Sequence, residues 1–212
     1  MNEGNARRVS TGISELDELI SGGFPRNSLI VLAGNPGTGK TVFSAQFLYR
    51  GCVDYGECGV YASLVENREQ FILRMMNFGF NFEKLEKEGR FRFHELSVAK
   101  EETPTILESV LDFHELLVAK EETVFTILKS ILEEMSKTGA KRLVIDSFSA
   151  LAQAFKEPHE VRIILNAILS RIVRRMSCTT LLIVEIPHGE AKIGLGVEEF
   201  ITDGIIILKR RM

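Results

Sequence analysis

Gly34-Asn35-Pro36-Gly37-Thr38-Gly39-Lys40-Thr41 fits the pattern G-x-x-x-x-G-K-[ST], a glycine loop built to cradle phosphate. The pattern carries weight only between a strand and a helix, and the flanks supply both. Leu29-Ile30-Val31-Leu32-Ala33 is apolar and β-branched, enough for one buried strand. After the loop, Val42, Phe43, Ala45, Gln46 and Phe47 follow helical spacing. Glycines let successive backbone N–H groups turn inward around an anion, and the helix aims its positive end at the same charge. Residues Gly34 to Thr41, with Val42 opening the helix, are therefore expected to hold a nucleoside triphosphate. Lys40 is expected to reach the β- and γ-phosphates, and the Thr41 hydroxyl to complete a Mg²⁺ shell.

Working outward, short apolar runs recur at wide intervals: Gly59–Leu64, Arg90–Phe93, Leu143–Ile145, Leu181–Val184 and Ile205–Leu208. Helical patterns lie between most of them, at 40–50, 67–78, about 121–138 and 160–176. Alternating strands and helices predict βαβ units and an α/β fold with a mainly parallel sheet covered on both faces. Ligands of such sheets bind at the carboxyl ends of the strands. Gly34, Glu66, Asp146 and Glu185 all fall at or just past strand ends, so they are expected on one edge.

Composition narrows the class further. The 212 residues suffice for one large domain, with 45% hydrophobic and 26% charged content. A single domain over 1–212 is the expectation. No apolar run approaches the roughly 20 residues of a membrane span, and Met1–Val9 is polar, so a cytoplasmic protein without membrane attachment is expected. Cys52, Cys58 and Cys178 show neither C-x-x-C nor Cys/His ligand spacing, which argues against disulfides and zinc. A net charge of −3 disfavours a dedicated nucleic-acid binder. Arg171, Arg174 and Arg175 form a local basic patch, in the place where cations complement a helix C-terminus.

The stretch 93–133 carries a duplication. Phe93-His94-Glu95-Leu96-Ser97-Val98-Ala99-Lys100-Glu101-Glu102-Thr103 returns at Phe113–Thr123 with only Ser97 changed, to Leu117. Two copies make no solenoid. The second copy is expected to supply the domain helix running into Lys129–Met135, and the first to end a strand and then make a surface insertion around Pro104.

Leu143-Val144-Ile145-Asp146-Ser147 is an apolar strand ending in a carboxylate, the Walker B arrangement. Downstream of a P-loop it supplies the Asp that helps hold Mg²⁺ on ATP, usually through water. With it, several further runs resemble the KaiC-like branch of the RecA superfamily. They are Thr11–Leu19 with Gly22-Gly23-Phe24-Pro25, then Tyr61–Leu64, Val144–Leu151 and Gly196–Gly204. The resemblance spans nearly the whole chain outside the duplicated stretch. It implies a three-layer RecA-like core, ATP with Mg²⁺, and a homo-oligomeric ring, commonly of six, with ATP between neighbours.

Two departures stand against that family pattern. KaiC-like domains place two adjacent glutamates after the second strand, whereas this chain has Val65 and then Glu66. Glu66 is thus the remaining candidate to orient and deprotonate the attacking water. The chain also reads Lys209-Arg210-Arg211-Met212 where the family continues into strands bearing a Lys/Arg pair. Glu185 holds the place where related ATPases put a polar γ-phosphate sensor. Pro187–Gly196 reads as a loop, and with only Lys192 and His188 it is too poor for a single-strand-binding groove. The leading expectation is an ATPase with Lys40, Glu66 and Glu185 in catalytic roles and Thr41 and Asp146 on the metal. Two other readings are a nucleotide-gated regulatory module that hydrolyses little, and a recombinase-like accessory that binds single-stranded DNA. No particular protein partner is indicated.

Overall fold

The computed structural model describes residues 8–96, 113–152, 158–186 and 201–210. It opens with a small antiparallel ribbon, β1 (Arg8–Val9) against β2 (Phe24–Pro25), around helix α1 (Ser14–Leu19). Then come β3 (Leu29–Gly34), α2 (Lys40–Tyr55), β4 (Gly59–Ser63), α3 (Arg68–Met76), α4 (Phe82–Lys87) and β5 (Phe91–Glu95). Helix α5 (Phe113–Thr138), β6 (Arg142–Asp146), α6 (Phe148–Ala152) and α7 (Pro158–Ala167) follow. A π-helical stretch, Ile168–Arg174, leads on to β7 (Thr179–Glu185) and β8 (Gly204–Leu208).

The six long strands form one sheet in the order β5-β4-β6-β7-β3-β8, and every neighbouring pair is parallel. Parallel strands need crossovers, and the helices that make them cover both faces. Alternation along each strand divides the apolar residues between two cores. In β3, Leu29, Val31 and Ala33 face the core shared with α5, α6 and α7, whereas Ile30 and Leu32 face the core of α2, α3 and α4. Leu143 and Ile145 of β6 split from Val144 in the same way. The central strands β3, β4, β6 and β7 are buried on both sides and read as largely apolar runs, whereas the edge strands β5 and β8 are partly exposed.

The Thr11–Leu19 lead-in is a clasp. Asp17 accepts hydrogen bonds from Ser10 Oγ (2.6 Å), Thr11 N (2.8 Å) and Thr11 Oγ1 (2.7 Å), which closes the turn onto α1. Gln46 of α2 donates to Gly12 O at 2.6 Å. Gly23 has φ +109, and a Cβ there would lie 2.2 Å from Val9 O, so the ribbon requires glycine. Asp203 performs a similar service at the other end of the chain, its Oδ2 accepting from Leu29 N at 2.8 Å.

The second duplicated copy does lie in the domain helix: α5 begins at Phe113. The first copy opens in β5, which runs two residues beyond the strand end expected from sequence at Phe93, and the expected insertion around Pro104 lies outside the described residues. So do the loop Pro187–Gly196 and residues 196–200 of the late run. Among the described residues, no helix is long and apolar enough to cross a membrane.

Candidate functional site

The chain leaves β3 at Gly34, makes the glycine loop, and re-enters helix at Lys40. Gly37 and Gly39 have φ +76 and +94, the left-handed region that a side chain disfavours. Gly39 is the N-cap of α2, and it has no side chain to occupy the turn's concave side. Two side chains pin the loop: Asn35 Nδ2 donates to Ile186 O at 2.8 Å and Thr38 Oγ1 to Asn35 O at 2.8 Å. Lys40 is buried and curls back, donating to Gly34 O (2.8 Å) and Asn35 O (3.0 Å). Burial draws its ammonium below the ordinary lysine value, while Glu185 and Asp146 pull the other way.

A cavity of about 410 Å³ opens beside this loop, at the carboxyl edge of the sheet. The loop supplies Pro36, Gly37, Gly39, Lys40, Thr41 and Val42 to its wall. Asp146 and Glu185, the last residues of β6 and β7, line it too, as does Glu66 just past β4. The strand-end carboxylates foreseen in the sequence therefore meet in one place. Gly34, Asn35 and Thr38 belong to the loop's framework and do not line the cavity.

Each acid is held differently. Asp146 is 8% exposed and accepts a 2.5 Å hydrogen bond from the phenol of Tyr61. Burial pushes its carboxyl above the usual range, and the Tyr61 bond and Lys40 work against that rise. Tyr61 is itself fully buried between Phe71 and Phe93, with ring centroids at 4.5 and 5.4 Å. Glu66 is positioned by Ser63 Oγ, which accepts from Glu66 N at 2.9 Å and Val65 N at 3.2 Å. Its carboxyl is raised by burial and Asp146, against the opposing charge of Arg74. Glu185 is exposed, and its backbone N–H donates to Ser149 Oγ at 2.8 Å.

Three cavity residues escaped the sequence reading: Gln70, Arg74 and Ile183. Ile183 is hidden in a buried strand. Gln70 and Arg74 stand four apart on one face of α3, but nothing in the sequence says that this face overlooks the loop. Val65, noted only as a departure from the family pattern, also lines the cavity while 66% exposed.

A glycine loop at a helix N-terminus, facing a strand-end Asp across a parallel sheet, defines a P-loop nucleotide-binding protein. Comparison with known proteins makes this more particular. The family model described as the KaiC ATPase matches residues 9–212, and the chain belongs to that family. It is 35% identical over 208 residues to a UPF0273 protein of Methanocaldococcus jannaschii, covering 95% of this chain and 80% of the relative. A UPF0273 protein of Pyrococcus furiosus is 34% identical over 207 residues, with 95% and 78% covered. The crystal structure of a KaiC-like protein from Pyrococcus horikoshii superposes with a TM-score of 0.71 at 36% identity, covering 95% of this chain and 80% of that one. The fold is thus a KaiC-like, RecA-superfamily core, and the chain is a RecA-like P-loop ATPase in the coarse sense that its family defines.

Proposed function

We propose that this chain binds Mg·ATP in the cavity beside the glycine loop and hydrolyses it slowly. The observation that carries the reading is the convergence of loop, buried lysine and three strand-end carboxylates on one wall. The loop N–H groups and Lys40 bind phosphate oxygens, Lys40 exchanging its two loop carbonyls for them. Residues for Mg²⁺ fit the ion's habits. Among the described residues no cluster of three acids, histidines or cysteines forms a cage. Mg²⁺ prefers one or two protein ligands plus substrate phosphates, and Thr41 with Asp146 supplies that set. When bound, the ion neutralises charge on the β- and γ-phosphate oxygens.

Glu66 is the water-orienting base in this account. Its raised affinity for protons suits a group that must accept one near neutral pH. Glu185 faces the same cavity as a sensor of the γ-phosphate. Val65 leaves a single acid where the family has a pair, so turnover is expected to be low. That residue also favours the second reading, a module whose nucleotide state matters more than its turnover. A further part of the proposal is that the site lies between copies of the chain in a homo-oligomer.

Phosphate release by the parent and Glu66→Gln, at saturating Mg·ATP, tests the assignment. Loss of a positioned base is expected to cut turnover by about 100-fold with nucleotide still bound. Equal rates in the two proteins would remove Glu66 from the role.

A further inference from the structure

The wall of the cavity facing the glycine loop carries a cation that the account above leaves without a task. Arg74 projects from the last turn of α3 into the cavity, and its Nη2 lies 2.6 Å from Glu66 Oε1. The contact is an ion pair without a well-aimed hydrogen bond, since Glu66 Oε1 is buried and has no directed donor. Glu66 has an 8% exposed side chain while that of Arg74 is 51% exposed, so the acid is fixed and the arginine is free to swing. The guanidinium's field also reaches Asp146. Arg74 is thus within electrostatic range of Glu66 and Asp146, two of the three acids proposed to act on the nucleotide.

We infer that Arg74 is a γ-phosphate-discriminating residue, which pairs with Glu66 in the nucleotide-free site and passes to the γ-phosphate when a triphosphate enters. The inference rests on the nucleotide reading of this cavity and assigns it a regulation. Three features argue for the exchange. A guanidinium bonds phosphate oxygens bidentately, better than it bonds a carboxylate oxygen at which no N–H is aimed. Its stem is half exposed, so the swing disturbs no packed core. Its departure leaves the Glu66 carboxylate unpaired beside the γ-phosphate, where a water-orienting base is required. A diphosphate gives Arg74 no such partner, so the pair with Glu66 persists and the acid stays masked.

The test is the ratio of Mg·ATP to Mg·ADP affinity, read by calorimetry on the full chain. Arg74→Gln is expected to lower the preference for ATP by about tenfold to a hundredfold, the range for a charge-assisted hydrogen bond. Glu66→Gln releases the guanidinium from its anionic partner and should raise the same ratio. That rise should vanish when Arg74→Gln is added. A ratio unmoved by Arg74→Gln, whether both affinities fall together or neither does, overturns the inference. So does a rise in Glu66→Gln that persists without Arg74, an outcome also readable if the single arginine variant fails to fold. A parent that binds neither nucleotide would instead defeat the nucleotide-site reading itself.

Discussion

Tyr61 donates a hydrogen bond to Asp146 inside an otherwise aromatic cluster, and this pair sets the chemistry of the site before any ligand arrives. A buried carboxylate is costly, and here burial outweighs the help from Tyr61 and Lys40, so the Asp146 carboxyl sits above its ordinary value. Glu66 is raised by the same cause. Both acids therefore bind protons more tightly in the folded chain than in the unfolded one. The stability this adds is fully present below the unfolded-state value and is lost as pH rises through the raised folded values. On mild acidification these two acids add stability to the nucleotide-free protein, against His94, whose imidazole burial holds below its ordinary value, and exposed acids such as Glu83 and Glu88, which are held low. Tyr61→Phe deletes the bond that favours the Asp146 anion. Its gain on acidification should begin at higher pH, and at neutral pH it should lose about 1.5–3 kcal/mol, both measurable by denaturation across a pH series. A Tyr61→Phe profile with the parent's pH dependence would contradict the role given to this bond.

At the scale of elements, the four central strands were legible as apolar runs buried on both faces, and the edge strands β5 and β8 as shorter runs that alternate or lie half exposed. Helices α2, α3, α5 and α7 were legible from their spacing, and the structure adds a cap at Asn67, whose side chain accepts from Gln70 N at 2.9 Å at the start of α3. The short α1, α4 and α6 and the β1–β2 ribbon were not read, since they have too few turns or residues to show a period. Arg142 was also invisible, lying in the sequence as an ordinary charge before a strand. It is 1% exposed and bonds Glu57 Oε2 (2.7 Å), Ser10 O (2.8 Å) and Phe47 O (2.8 Å), with its guanidinium 4.6 Å from the Phe47 ring centroid. It ties the lead-in, α2 and β6 together, and Gly51 leaves it room, because a Cβ there would stand 2.2 Å from Arg142 Nε. Arg142→Met takes the buried guanidinium from Glu57, which keeps only its partly exposed pair with Arg26, and from two carbonyls, and should cost about 3–5 kcal/mol in urea denaturation. A loss below 1 kcal/mol would mean that the cluster is not a structural anchor.

For the whole molecule, the sheet order places β7 between the P-loop strand β3 and the acid-bearing β6, with β4 beyond, so the cavity spans four strands at their carboxyl ends. Sequence reading foresaw this convergence from the positions of Asp146, Glu185 and Glu66 at strand ends. It could not foresee Arg74, because only the packing of α3 over the sheet decides which turn of that helix overlooks the loop. The proposal that copies of the chain share the site predicts that light scattering detects a larger assembly when Mg·ATP is added. A monomer mass that persists with nucleotide would confine the chemistry to one subunit. The central claim is tested most directly by titrating Mg·ATP into the folded protein in a calorimeter, beside Lys40→Ala. Saturable, magnesium-dependent binding near one nucleotide per chain is expected for the parent, with a loss of at least tenfold in the variant. Absence of binding by the folded parent, or equal affinity in Lys40→Ala, would contradict the claim that the glycine loop holds a triphosphate.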